Sequence, residues 1–277
     1  MSRGRCVTAV RATACVLAAG LALAAGVAAR SVAAAEITGL RIPGVIRVLV
    51  ASDEQPEVFS FKNDGPPGFE RELIEGFARA RKLEMRVVPI ANWEQIIPDL
   101  QKGDGDVIVG IVDTEARRKR VSFTSEIYPV RHVVVTRQPH APVASVAELR
   151  ELKIGVIPGT TWAEATTAAG VPASAQVSCA DLNDALDALS RGRITATVMA
   201  VFDYALAHKR DKALQAGIFL GLPGTAAWAV RQADHSLLAA LDEYIEALKQ
   251  SPTRSALTVK YFDEDALDLL RRARKAE

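Results

Sequence analysis

Cysteine is scarce in this chain, with three residues at positions 6, 15 and 179. The first two fall in an N-terminal segment that reads as removable, so only Cys179 would remain and no intrachain disulfide could form. That thiol is expected to be a buried, small apolar group. Paired cysteines and an H-E-x-x-H run are missing. The histidines His132, His140, His208 and His235 are scattered, so no metal site is expected and each is read as a surface or structurally satisfied residue. There is no G-x-S-x-G, no G-x-x-x-x-G-K-[ST] and no G-x-G-x-x-G. These absences argue against nucleophilic hydrolysis and nucleotide binding, and no cofactor is expected.

Charge of one sign is lacking as well. The formal net charge is +1, and four arginines with no acid precede Glu36; +1 less four leaves −3 for the remainder. That balance excludes a nucleic-acid partner as the expectation. After residue 35 no long apolar run occurs, so a soluble protein is expected.

What is present begins with an export signal. Arg3, Arg5 and Arg11 form a positive stretch, residues 12–29 are apolar and alanine-rich, and Ala33-Ala34-Ala35 offers a cleavage site before Glu36. Residues 1–35 are therefore read as a cleavable signal peptide and the location as periplasmic. Retention as an uncleaved anchor is the alternative.

Beyond it, strand and helix patterns alternate, which predicts an α/β class. Strands are expected at residues 46–50, 85–90, 107–112, 132–136, 153–157, 194–199, 219–222 and 226–231. Phe69, Leu73, Ile74 and Phe77 recur at helical spacing, predicting a helix over 69–81. Further helices are expected over 160–169, around Ile96 to Leu100 and Leu182 to Leu189, and through the tail from His235. Residues 138–146 hold two prolines and few apolar groups and read as an exit into a second lobe.

Two features point to anion capture. Thr114 can cap a helix just after the apolar run ending at Val112, which puts Arg117 in the first turn at a strand's C-terminal end. A guanidinium there can take a carboxylate through two parallel hydrogen bonds. A cation also opposes the helix dipole at that end, so its position hints at a use. The bland alternative is a solvated basic face, since Arg118, Lys119 and Arg120 follow. The second feature is Gly159-Thr160-Thr161, whose backbone amides and hydroxyls precede a predicted helix; simple capping is the alternative.

The chain also resembles the periplasmic solute-binding proteins of the polar amino-acid type, which feed transporters of the ATP-binding-cassette class. The resemblance runs from about Ile46 to Phe262. It is carried by Phe59-Ser60-Phe61, Gly68-Phe69-Glu70, Trp93 to Leu100, Gly105 to Val109, Thr114 to Arg117, Gly159-Thr160-Thr161, Gly192-Arg193-Ile194 and Lys260-Tyr261-Phe262. It implies a two-lobed type II periplasmic-binding fold, with two mixed sheets flanked by helices and a two-strand hinge. Lobe 1 would be 36–137 plus 222–277 and lobe 2 would be 138–221. By the same resemblance Arg117 clamps the ligand carboxylate, Thr160 and Thr161 bind it from the other lobe, Trp93 and Phe59 line the pocket, and Asp53 contributes an acid. By the same resemblance the acid that meets an ammonium is replaced by Ala200 here, with Asp203, three residues on, or Asp53 as the alternative substitutes. The implied protein is a monomeric, non-enzymatic binder of a small carboxylate-bearing ligand, partnered by an importer permease.

A dehydratase-like enzyme on the same fold is the alternative, with Glu57, Asp113 and Asp203 as candidate acids. Gly65 to Leu73 also looks like the non-catalytic N-terminal domain of lytic murein transglycosylases. That makes a cell-wall-fragment module a further alternative; with Glu277 as the last residue, their catalytic domain is not expected.

Overall fold

The computed structural model describes residues 37–52 and 55–275. The segment read as an export signal and the candidate Asp53 lie outside the described residues.

The first half begins with β1, Val45–Ala51, whose Val48 and Leu49 are fully buried. Helix α1, Phe69–Ala80, buries Phe69, Leu73, Ile74 and Phe77, as their spacing predicts. It starts at Gly68, with φ 94°, where a Cβ would sit 2.6 Å from the Val58 carbonyl oxygen, so a side chain is excluded. Strand β2, Glu84–Ile90, pairs parallel with β1. Helix α2, Ile96–Lys102, ends on the left-handed Gly103, as expected of a glycine just past a helix. Strand β3, Val107–Val112, lies parallel to β1 and leads into the single turn α3, Glu115–Arg118, then β4, Val121–Phe123, and β5, Tyr128–Arg137.

The second half repeats the alternation with α4, Val146–Arg150; β6, Ile154–Val156; α5, Thr161–Ala168; and β7, Gln176–Ser178. It continues with α6, Leu182–Ser190; β8, Ala196–Ala200; and α7, Val201–Arg210. The two short strands expected at 219–222 and 226–231 are one long strand, β9, Leu214–Arg231. Its middle, Gly221-Leu222-Pro223-Gly224, carries turn residues and no alternating apolar pattern, yet β5 holds it extended through Val130↔Gly224 and His132↔Leu220. The tail is three helices: α8, His235–Lys249; α9, Pro252–Phe262; and α10, Asp265–Ala273. Pro252 opens the second, and Asp263 at φ 85° closes it.

The strands form one hydrogen-bonded order, β2-β1-β3-β9-β5-β8-β6-β7, with β4 beside β9. Each flank is mixed: β1, β2 and β3 are parallel and β9 antiparallel to them, while β6, β7 and β8 are parallel and β5 antiparallel. The β5–β9 ribbon is the element both flanks share. It follows that the C-terminal ends of β1 and β3, and separately of β6 and β8, gather where an open sheet offers its crevice.

The first flank is anchored by a buried charge. Asp106 is fully buried, accepting from Arg47 Nε at 3.0 Å and Nη2 at 2.9 Å and from Arg231 Nη2 at 3.2 Å. Burial alone would raise its pKa, but the Arg47 side chain and the Arg47 and Arg41 amides outweigh it and hold the carboxyl below its usual range. Cys179 is buried, and that burial raises its thiol pKa. Among the described residues no helix is long and apolar enough to cross a membrane.

Candidate functional site

Thr114 performs the capping expected of it: its Oγ1 accepts from the Arg117 amide at 3.3 Å. That tight turn swings the Arg117 side chain back over the end of β3, where Nη1 donates to the Val112 carbonyl at 2.7 Å. Its guanidinium carbon stands 5.7 Å from the centroid of Trp93. Trp93 opens a short turn preceding α2, capped by Asn92, whose side chain accepts from the Glu94 amide at 3.1 Å.

The neighbouring cations behave differently. Arg118 is matched to Asp113 through two bonds of 2.6 Å, Lys119 approaches Glu115 at 3.9 Å, and Arg120 donates to Gln101. Arg117 alone turns inward, and no carboxylate of the described residues pairs with it. Burial without a counter-charge pulls its pKa below the usual guanidinium value, so the position favours an incoming anion. A groove of about 390 Å³ lies beside it, with Trp93, Ile96, Ile97, Ile111 and Ala116 in its wall and the charged Glu94 and Arg120 also lining it. The arrangement sets a fork-shaped donor beside an apolar and aromatic surface.

Phe59 is 1% exposed, its ring 5.7 Å from that of Phe61, which reaches the surface at 39%. Phe59 is thus a core residue and Phe61 the exposed ring of the pair.

On the second flank, Gly159 at φ 78° turns the chain between β6 and α5. Thr160 Oγ1 accepts from the Ala163 amide at 3.2 Å and donates to the Ile157 carbonyl at 2.7 Å, so its hydroxyl is committed to capping α5. Thr161 Oγ1 lies 3.1 Å from His132 Nε2. His132 is half-buried, which lowers its imidazole pKa, and it stands opposite Ala200 in the ladder. A lone histidine carries no spacing signal, so its part here was not readable from the sequence; only the strand register reveals it.

Asp203, in the first turn of α7, accepts from Gln55 Nε2 at 2.8 Å. Burial raises its carboxyl pKa and the Gln55 bond only partly offsets this. Glu57 is paired with Arg210 at 2.5 Å and Asp113 with Arg118, so of the three candidate acids Asp203 alone has no cationic partner among the described residues. The structure thus joins Trp93 with Arg117, Thr161 with His132, and Asp203 with Gln55. No hydrogen bond among the described residues joins Arg117 to Thr160 or Thr161.

Comparison with known proteins gives the family and the fold. The model of the bacterial extracellular solute-binding proteins, family 3, matches residues 46–264. The chain is similar to the membrane-bound lytic murein transglycosylase F of Stutzerimonas stutzeri (strain A1501), 26% identical over 240 residues that cover 82% of this chain and 48% of that protein. It spans about half the length of that relative. It is also similar to a probable amino-acid ABC transporter-binding protein of Haemophilus influenzae, 26% identical over 215 residues that cover 76% of this chain and 81% of that one. Among solved structures, the unliganded, open L-cystine solute receptor of Neisseria gonorrhoeae superposes with a TM-score of 0.70 at 18% identity, over 80% of this chain and 94% of that one. That likeness gives the fold, the type II periplasmic-binding architecture.

Proposed function

This chain belongs to the bacterial extracellular solute-binding proteins of family 3, and we propose that it captures a small carboxylate-bearing solute, an amino acid or a related acid, by closure of two lobes. Lobe 1 is 36–137 with 222–277, lobe 2 is 138–221, and the β5–β9 ribbon is the hinge. The observation that carries this reading is the inward, half-buried guanidinium of Arg117, which has no counter-charge among the described residues and sits over Trp93 beside an open groove. A carboxylate bound there supplies the missing charge through paired hydrogen bonds.

Thr160 and Thr161 approach the same carboxylate from lobe 2, through the amides at the start of α5 and the Thr161 hydroxyl. Trp93 forms the apolar wall. Asp53 and Asp203 are the acids of the cleft. A ligand that touches both lobes favours the closed form by its differential contacts. The setting is the periplasm, reached through the signal at residues 1–35. The chain acts as a monomer that returns its ligand unaltered and delivers it to an importer permease, a partner in keeping with the transporter-binding relative in Haemophilus.

A second reading, capture of cell-wall fragments, is favoured by the similarity to the Stutzerimonas transglycosylase over 82% of this chain. One thermal-shift screen separates the two. Amino acids and organic acids should raise the melting temperature and muropeptides should not, because a ligand selective for the native state stabilises it. A rise with muropeptides alone transfers the site to wall fragments; no rise with any carboxylate refutes the proposal. Mass spectrometry of the incubated ligand tests the non-enzymatic role, and a product mass other than that of the ligand overturns it.

A further inference from the structure

The three tail helices border a cavity that has no lining residue in common with the groove at Arg117. It measures about 150 Å³ and lies where α8, α9 and α10 meet the start of β5. Lys249 at the end of α8, Arg254 in the first turn of α9 and Arg274 just past α10 all line it, and no acid of the described residues does. Phe69, Ile127, Leu267 and Leu270 form its apolar side.

The charges around this cavity do not balance. Glu126 Oε1 accepts from Arg274 Nε at 2.7 Å and stands 3.6 Å from Arg254 Nη2, so one carboxylate serves two guanidiniums. Glu246 pairs with Lys249 at 2.7 Å. Three cations thus meet two carboxylates, and neither carboxylate lines the cavity. Arg254 bears most of the excess. Its side chain is 21% exposed, its Nη2 donates to the Ile127 carbonyl, and a cation in a helix's first turn opposes the helix dipole. Burial, and after it the nearby Arg274, pull its pKa below the usual guanidinium value. An anion in the cavity offsets the burial, the dipole and the repulsion together.

Size and lining narrow the anion. A cavity of this volume accommodates a body the size of benzene. An inorganic oxyanion leaves the hydrocarbon side without contacts, and a neutral ring leaves the cations unmatched. We propose that this cavity is a second binding site, for a compact organic acid with one carboxylate and a ring-sized apolar body. The ring packs on Phe69, Ile127, Leu267 and Leu270, and the carboxylate lies among Lys249, Arg254 and Arg274. The exposed Ser255 of α9 stands at its mouth. The site is independent of carboxylate capture at Arg117.

Titration calorimetry with benzoate, benzyl alcohol and inorganic phosphate tests this, in the wild type and in Arg117→Ala, which removes the guanidinium of the other groove. In Arg117→Ala, benzoate should bind at least about tenfold tighter than benzyl alcohol, which lacks the charge, and than phosphate, which lacks the ring. Adding Arg274→Ala should weaken benzoate about fivefold or more, as for a charge-assisted bond from a partly exposed donor. Adding Ser255→Phe, which fills the cavity, should abolish binding. Unfolding curves of the ligand-free variants verify their folds; if Ser255→Phe does not fold, Arg274→Ala decides. No benzoate binding, benzyl alcohol or phosphate bound as tightly as benzoate, or undiminished benzoate affinity on adding Arg274→Ala overturns the inference. Benzoate binding that Arg117→Ala removes and Arg274→Ala leaves intact belongs to the groove at Arg117; the second site then fails and the capture reading stands. Binding kept in Arg117→Ala and weakened by Arg274→Ala supports the second site, whatever the groove at Arg117 takes up.

Discussion

Replacing Arg117 by alanine should weaken carboxylate binding by far more than it changes the stability of the ligand-free protein. In the structure this guanidinium makes one hydrogen bond with the described residues, to the Val112 carbonyl, and one ring contact, with Trp93 at 5.7 Å. A neutral-acceptor bond of this kind and an exposed cation–π contact contribute about 1 kcal/mol each, and burying an unpaired cation opposes both. The net change in folding stability should therefore stay within about 1 kcal/mol. Binding is different, because truncation leaves a desolvated carboxylate without its partner, which costs about 2–5 kcal/mol. On an affinity near micromolar, about −8 kcal/mol, that is a loss of about thirtyfold to several thousandfold. Arg117→Lys keeps the charge but not the planar fork, so it should fall between the two. Titration calorimetry reads the affinity, and thermal unfolding of the same samples reads the stability. An affinity within twofold of wild type in Arg117→Ala, with the fold intact, would refute the clamp. A large loss of stability would show that Arg117 is a structural residue.

Further expectations concern the fold around the site. Asp203→Asn should stabilise the protein at pH 7 by about 1–3 kcal/mol, because the amide keeps the acceptor for Gln55 and removes a carboxyl that burial penalises when charged. The raised folded pKa means that the stability from Asp203 is present below the ordinary carboxylate pKa and is lost as pH rises through the folded value. The gain should thus shrink towards pH 3, and an equal gain at both pH values in denaturant titrations would contradict it. Asp106→Asn should cost about 3–5 kcal/mol at pH 7, since it leaves Arg47, 15% exposed, without its carboxylate, while Arg231 keeps Asp234 as its ion-pair partner. Its depressed pKa contributes stability above the ordinary carboxylate value that is lost as pH falls, so the cost should fade in acid. Gly68→Ala should destabilise by more than about 2 kcal/mol, because φ 94° and a backbone oxygen 2.6 Å from the new Cβ cannot both be relieved locally; an unchanged melting curve would show that the turn can move.

Much of the frame was legible because its signals are local. Thr114, Gly103 and the spacing of Phe69, Leu73, Ile74 and Phe77 each act within one or two turns of chain, and each ended or began an element as expected. The long β9 was not, because Leu222, 87% exposed, and Pro223 break the alternation where β5 alone holds the strand extended. Helix α7 follows β8 with no turn residue between them, and nothing in Ala200-Val201 announces the change. At the site, Arg117 stood out through T-x-x-R, and the structure distinguishes it from Arg118 and Arg120 by where each guanidinium goes. His132 could not stand out: its partners are Thr161, 29 residues later, and Ala200 across the ladder, and only strand register brings those together.

Spin labels at the exposed Lys102 and Asn183, in a Cys179→Ala background, place one reporter on α2 and one on α6. Pulsed dipolar measurement of the distance between them, with and without a carboxylate ligand found in the thermal screen, tests capture by closure. The account predicts a shift to a shorter distance at saturation and none in Arg117→Ala at the same ligand concentration. An unchanged distance in the wild type, or an equal shift in the variant, would contradict it.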